Sequence, residues 1–176
     1  AANVISNQLN MSDQTDFVQA NAVHLPFCDD SFNGIWTQHV TMNIENKDLL
    51  FREFSRILKP AGKLIMYEVM TKSGSLQPIT YPLPWSLDGS YSFLQNHNIY
   101  RQFIERDGLQ LSHFNDVSET ALNSVKNLLR GLQQNKVRKP NLGLLLGNNF
   151  PTMMFNLAQA LENDSLSVYQ IVASKT

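Results

Sequence analysis

Cysteine is almost missing from this 176-residue chain: Cys28 stands alone. An internal disulfide is thereby excluded, and such usage suits a reducing, cytoplasmic compartment. Cys28 also sits in an acidic turn with no base beside it, which reads as an inert thiol rather than a nucleophile. Net charge is scarce as well, at −1 from 14 basic and 15 acidic residues. That balance leaves no electrostatic footprint for nucleic acid, and the densest basic cluster, Lys136, Arg138 and Lys139, reads as a solvated loop. No apolar run approaches the roughly 20 residues of a membrane-spanning helix, so no membrane partner is expected. No basic–apolar leader is visible either, although a truncated start would hide one. His24, His97 and His113 lack companion Cys, Asp or Glu at ligand spacing, so no metal site is expected. A G-x-S-x-G nucleophile turn is absent. Glycine is missing from everything before Asp16, and Gly143 and Gly147, four apart in an apolar run, do not make a G-x-G turn after a strand. There are no repeats or low-complexity tracts. With 43% hydrophobic residues, the chain has material for one sizeable core.

What is present is an alternation of short apolar runs and helical periods. Residues 16–20 alternate as a strand and stop at Asn21-Ala22; after Pro26 and the turn formers Asp29, Asp30 and Ser31, residues 32–40 rise again. Residues 46–62 carry consistent helix signals. Asn46 is a candidate N-cap and Asp48 complements the helix dipole. Leu50, Phe54, Ile57 and Leu58 make one apolar stripe with Arg52, Glu53 and Arg56 facing away, and Lys59-Pro60 stops the helix before Gly62 turns the chain. Residues 63–70 form a buried strand. Strands alternating with helices imply an α/β fold with a parallel sheet covered on both faces. Ligands of such sheets sit beyond the carboxyl ends of the strands, here Asn21-Ala22, residues 37–42 and residues 67–70.

Beyond Thr71 the period is lost. Residues 71–92 hold three prolines and two glycines, with aromatic residues that are costly to leave in water, and read as a loop or lid. Helices are then expected at 98–108, with Ile99, Phe103 and Ile104 inward, at 121–134 and at 152–162. Strands are expected at 109–117 and 165–174, and a Lys-Pro-Asn turn at 139–141.

Three pieces carry a resemblance: Asn21-Ala22-Val23-His24-Leu25-Pro26-Phe27, Asp30-Ser31-Phe32-Asn33 and Leu58-Lys59-Pro60-Ala61-Gly62. In order and at matching spacing, they resemble the second half of a class I S-adenosylmethionine-dependent methyltransferase. Asn21, Asn33 and Ala61 depart from the family's acidic residue, Asp and Gly. The family's glycine-rich turn and ribose-binding acidic residue should precede Asp16 and have no counterpart there. The simplest account is a fragment without its first two strand–helix units, on the order of sixty residues at about thirty per unit. The implied fold is an incomplete Rossmann-like sheet. Five of seven strands remain, the third to seventh of the family's spatial order 3-2-1-4-5-7-6. The strand at 16–20 would then lose both neighbours and become disordered, be repositioned, or pair with another chain to give a homodimer. The expected organisation is one truncated domain with a lid or substrate segment at 71–97 and an insertion at 135–151. Later stretches are similar to the sarcosine and dimethylglycine N-methyltransferases and, more distantly, to the quinone-ring C-methyltransferases.

The resemblance implies S-adenosylmethionine as cofactor and a small-molecule methyl acceptor, with an amine favoured. Such chemistry asks mainly for alignment in a dry pocket, and an amine must first lose its proton. His39, at the carboxyl end of its strand, is the candidate to help; the alternative is a histidine that merely hydrogen-bonds a backbone carbonyl. Asn21 would accept from the adenine amino group and Ala22 would offer its backbone N–H, unless Asn21 is only a turn former. Thr37 and Gln38 would lie along the methionine part of the cofactor. Met42 and Asn43 would face the acceptor, and Trp36, Tyr67, Trp85 and Tyr91 could wall it for cation–π contact, with core packing as the alternative. Two functions stay open: a working methyltransferase whose chain here is inactive alone, and a silent methyltransferase-like oligomerisation or binding module.

Overall fold

The computed structural model describes residues 2–75, 77–134 and 142–176. The basic cluster at Lys136, Arg138 and Lys139, the turn at 139–141 and the first part of the 135–151 insertion lie outside them. Chain order is α1 (Ala2–Gln8), β1 (Phe32–Gln38), a 3-10 turn (Thr41–Asn43), α2 (Lys47–Ile57), β2 (Leu58–Thr71), α3 (His97–Arg106), β3 (Leu109–Asp116), α4 (Ser118–Gln133), α5 (Gly143–Leu146), a second 3-10 turn (Gly147–Asn149), α6 (Phe150–Glu162) and β4 (Leu166–Lys175).

Four strands form one sheet in the order β1-β2-β4-β3. That is the 4-5-7-6 half of the order implied by the resemblance. The pairing corrects the all-parallel expectation. β1 and β2 run parallel, while β4 runs antiparallel to both β2 and β3. The expected fifth strand is also absent: residues 16–20 form no strand. A strand owes its stability to cross-strand neighbours, and these residues have none. Asp16, Phe17 and Val18 instead face Phe32, Gly34 and Ile35 of β1 across an open depression of about 840 Å³.

The helix at 47–57 follows its local signals. The Asn46 side chain accepts from the Leu49 N–H, and Leu50, Phe51, Phe54 and Ile57 are buried. The turn after it shifts the register of the sheet: Phe32 pairs with Leu58 but Gly34 with Lys63, so residues 59–62 bulge out of the ladder. Ala61 adopts φ +62°, a left-handed conformation that costs a non-glycine residue about 1–2 kcal/mol. At Gly62 a Cβ would lie 2.8 Å from the Lys59 carbonyl oxygen, so only glycine fits.

On one face of the sheet, Leu64, Met66 and Met70 of β2 and Ile171 and Ala173 of β4 pack against Leu50, Phe51 and Phe54 of α2 and Tyr100 and Ile104 of α3. Tyr100, rather than the expected Ile99, supplies the deepest contact of α3, and Phe103 is half-buried. The opposite face is covered only in part. Val69, Leu166 and Val168 are buried with Leu161 of α6 and Leu83, and the Val125–Leu132 side of α4 packs on Phe150, Met153 and Met154. Lower on that face, Trp36 pairs in register with Ile65, and both are open to solvent, Trp36 at 74%. The sheet is therefore not covered on both faces as expected.

The excursion between β2 and α3 is closed at its base, where the Thr71 N–H donates to the Gln95 carbonyl at 3.1 Å. It packs through Leu83, Ile79, Tyr81 and Trp85 onto the second core cluster. Among the described residues, no helix is long and apolar enough to cross a membrane.

Candidate active site

Glu53 and Arg56 do not face away from the fold as an amphipathic helix would predict. They reach back to the loop that precedes β1. The Leu25 N–H donates to Glu53 Oε2 at 2.7 Å. Arg56 donates to the Phe27 carbonyl at 2.7 Å, the Leu25 carbonyl at 3.1 Å and Asp29 at 2.9 Å. The Arg56 guanidinium, aided by the Leu25 N–H, holds the Glu53 carboxyl at about 2, well below its usual range. The Leu-Pro-Phe motif is thus fixed by a surface ion pair.

Beyond the carboxyl end of β1, a second bracket does the same from inside. At His39 the backbone turns through φ +54°, and the His39 N–H donates to the Tyr67 carbonyl at 3.0 Å. Glu68, fully buried on β2, then accepts from the Val40 N–H at 3.1 Å, the Thr41 N–H at 3.2 Å and the Thr41 hydroxyl at 3.0 Å. Because the Thr41 hydroxyl spends its one hydrogen on Glu68, Tyr100 must donate to Thr41 Oγ1, 2.7 Å away. Burial raises the Glu68 carboxyl above its usual range despite these donors. Lys47, also buried, donates to the Ile44 carbonyl and to the Phe93 carbonyl at 2.6 Å, and burial pulls its amine down to about 8 against the opposing pull of Glu68. The Phe93 N–H in turn donates to the Met42 carbonyl at 2.8 Å. The 3-10 turn and the end of the 71–96 excursion are therefore tied together over a buried carboxylate and a buried amine.

This arrangement shapes a cleft of about 550 Å³. Gln38, His39, Met42 and Asn43 line it from the strand end and the 3-10 turn. Pro84 and Trp85 contribute from the excursion, and α5 and α6 contribute Leu145, Leu146, Met154 and Leu157. His39 is exposed at the cleft, but its ring meets Tyr67 edge-on at 5.2 Å, and the partial loss of solvent on that side draws its pKa below the ordinary 6.5.

The remaining expected residues are dispersed. Thr37 is buried beneath the strand end, where its side chain helps offset the burial of the Glu68 carboxyl although its hydroxyl makes no hydrogen bond of ordinary geometry. Tyr67 lies against His39 and outside the cleft lining. Tyr91, 73% exposed, lines a neighbouring depression of about 510 Å³ that shares Trp85. The Trp85 indole N–H is satisfied by Ser92 at 2.9 Å. Trp36 is on the uncovered part of the sheet. The four aromatic residues therefore form no single wall. Asn21 and Ala22 do not line the cleft either. The Asn21 side chain accepts from the Val23 N–H at 3.1 Å, as a turn former does, and Ala22 packs against the main core.

A family model described as a methyltransferase domain matches residues 2–66. The Streptomyces halstedii methyltransferase GfsG is 31% identical over 131 residues, covering 67% of this chain and 46% of that protein. The Bartonella tribocorum ubiquinone/menaquinone biosynthesis C-methyltransferase UbiE is 37% identical over 95 residues, covering 53% of this chain and 33% of that one. The chain thus spans less than half the length of these curated relatives. Among solved structures, a Galdieria sulphuraria protein assigned as a sarcosine dimethylglycine methyltransferase superposes with a TM-score of 0.80 at 18% identity. That match covers 99% of this chain and 64% of the other. The geranyl diphosphate C-methyltransferase of Streptomyces coelicolor A3(2) gives 0.75 at 16% identity, covering 99% and 57%. At such identities the likeness speaks for the fold.

The chain has the class I methyltransferase fold, and its residues 2–66 match the methyltransferase domain family. Within this methyltransferase fold, Glu68, Lys47 and Tyr100 are the site-shaping residues that sequence reading passed over. Glu68 left a trace, as the lone carboxylate inside the apolar run 64–70. Lys47 and Tyr100 left none, because a lysine opening a helix and a tyrosine on its inner face are ordinary.

Proposed function

We propose that this methyltransferase-fold chain supports S-adenosylmethionine-dependent methyl transfer to a small-molecule acceptor, with an amine as the favoured nucleophile. The observation that carries the reading is the cleft at the carboxyl end of β1, where Gln38, His39, Met42 and Asn43 converge. When bound, S-adenosylmethionine would supply an activated methyl group on a sulfonium. Asn21 and Ala22 would meet its adenine, and Thr37 and Gln38 its methionine end. The donor set fits only in part: Gln38 lines the cleft, whereas Asn21 already accepts from the Val23 N–H and Thr37 is buried beneath the strand end. It contains neither the glycine-rich turn nor the ribose-binding carboxylate that the resemblance calls for, so these residues make one wall of a cofactor site. We assign the opposite wall to further polypeptide, with a second copy docked along the open β1 edge as one source. Turnover by this chain alone is not expected.

His39 has the role of proton acceptor. Its lowered pKa leaves the ring neutral at pH 7, with a free nitrogen to accept the proton that the amine nitrogen sheds once it is methylated. Met42 and Asn43, held by the Glu68 bracket, fix the acceptor's approach, so most of the gain is alignment. Residues 71–97 act as the lid and 135–151 are an insertion, whose described residues Leu142, Leu145 and Leu146 line the cleft. A cytoplasmic setting fits the single thiol.

Calorimetric titration with S-adenosylhomocysteine tests the reading. Binding in the micromolar range supports a surviving cofactor wall and makes amine acceptors worth assaying. No binding by the folded chain would mean that the wall present here does not hold the cofactor by itself, and would favour the second reading, a silent binding or oligomerisation module. That second reading is favoured by the exposed Trp36–Ile65 patch and the open β1 edge.

A further inference from the structure

The cleft differs in chemistry between its two ends. At the strand end stand three uncharged polar side chains, Gln38, His39 and Asn43. Everything opposite is apolar: Trp85 from the excursion, Leu145 from α5, and Met154 and Leu157 from α6. Among the described residues, no Asp, Glu, Lys or Arg lines the space. The nearby buried ions, Glu68 and Lys47, are consumed by backbone groups and by the Thr41 hydroxyl, and neither is part of the lining.

Such a wall discriminates by desolvation. A carboxylate or ammonium entering it would give up its water without gaining a counter-ion, which is costly in an apolar surround. An aromatic cage could offset that cost for an ammonium, but it needs several ring faces around one point. Only Trp85 is available here, because Tyr91 belongs to the neighbouring depression and Tyr67 lies against His39. The volume, about 550 Å³, belongs to the range of small-molecule clefts. A zwitterion of glycine size would leave most of it unfilled.

We infer that the acceptor bound in this cleft is an uncharged molecule with a bulky apolar body, its single nucleophilic group presented to Gln38, His39 and Asn43, and not a small zwitterionic amino acid. This rests on the methyl-transfer reading above and narrows its acceptor. It also fits an amine nucleophile, because a described lining without carboxylates offers an ammonium no counter-ion and so favours the neutral amine that can attack.

The test uses the full 176-residue chain and the neutral fluorophore N-phenyl-1-naphthylamine, whose emission rises on entering apolar surroundings. Saturable binding is expected, displaced by 1-decanol and undisturbed by millimolar sarcosine. Leu145→Glu, at an 84% exposed position on the cleft rim, should weaken the probe at least fivefold. Leu144→Glu, 77% exposed and outside the lining, should change it less than twofold. Displacement by sarcosine, or insensitivity to Leu145→Glu, would overturn the inference. So would a signal removed by Trp36→Ser, which would place the probe on the uncovered sheet face. Parallel calorimetry with S-adenosylhomocysteine separates the two claims. Cofactor binding without probe binding sinks the apolar acceptor alone. Rim-sensitive probe binding without cofactor binding keeps the cleft's preference and removes the methyl-transfer reading.

Discussion

Two loops flank β1, and each is held by a glutamate that accepts backbone N–H groups, yet the two glutamates work in opposite surroundings. Glu53 stands near the surface with Arg56 beside it, and its carboxyl is pulled down to about 2. Glu68 is sealed in the core with three donors from the 40–41 corner, and burial pushes its carboxyl up. The comparison teaches that one bonding pattern can fasten a loop in two ways. The surface bracket is cheap to form and sensitive to acid. The buried one is costly to form and costlier to break, because each abandoned donor stays out of reach of water.

The largest effect should come from breaking the buried bracket. Glu68→Ala leaves the Val40 and Thr41 N–H groups without an acceptor and Lys47 without its nearest counter-charge. We expect a loss of about 3 kcal/mol, read as a fall in the urea midpoint, with Trp85 emission shifting as the 3-10 turn lets go of Phe93. Glu68→Gln keeps an acceptor and should lose less. Equal losses in the two variants would show that charge, not hydrogen bonding, holds the corner.

Breaking the surface bracket should cost less. Arg56→Ala removes donors to Leu25, Phe27 and Asp29, and we expect about 1–2 kcal/mol. Amide exchange should accelerate in residues 25–29 while residues 40–43 stay protected. Comparable acceleration at both corners would mean the two brackets are one cooperative unit.

The pH dependence sharpens the contrast because the signs differ. The Glu53 carboxyl is depressed in the folded chain, so its contribution is present above its unfolded value near 4.5 and is lost as pH falls toward about 2. Partial solvent screening limits that contribution to about 1 kcal/mol. The Glu68 carboxyl is raised, so its contribution is fullest below 4.5 and declines as pH rises through the folded value. Stability measured from pH 2 to 7 should therefore flatten at the acid end in Glu53→Gln, whereas Glu68→Gln should steepen the rise above pH 4.5. Identical profiles would contradict the opposite environments.

The smallest expected change is a control. Ala61 lies between the two brackets with φ +62°, and Ala61→Gly should gain about 1 kcal/mol by relieving the left-handed strain. It should raise the urea midpoint while leaving both acid slopes unchanged.

Much of this fold was legible where signals are local. The cap at Asn46, the stripe through Leu50 and Phe54 and the stop at Lys59-Pro60 need only neighbours in sequence, and α2 forms as they dictate. Reading failed where the partner is distant. Residues 16–20 alternate as a strand does, but a strand needs another strand, and none lies beside them. Glu53 and Arg56 read as solvent-facing because a helix pattern contains no information about the loop at 25–29. The expected aromatic wall came apart because spacing in the aperiodic 71–92 stretch says nothing of direction. The cleft itself was half visible: His39 and Met42-Asn43 could be placed at a strand end, while its apolar side depended on how α5 and α6 return over the sheet.

The hydrogen bond from the Thr71 N–H to the Gln95 carbonyl, which pinches the excursion at its neck, has a consequence for descent. A loop closed at its base can be lengthened, shortened or rewritten without disturbing the strands below, since each doubling of its length costs only about 0.6 kcal/mol in closure entropy. Trp85 and Pro84 ride on that loop, so the side of the cleft they form is a replaceable cassette on a fixed frame. Grafting a foreign excursion between Thr71 and Gln95 is a route by which one sheet could be given a succession of acceptors.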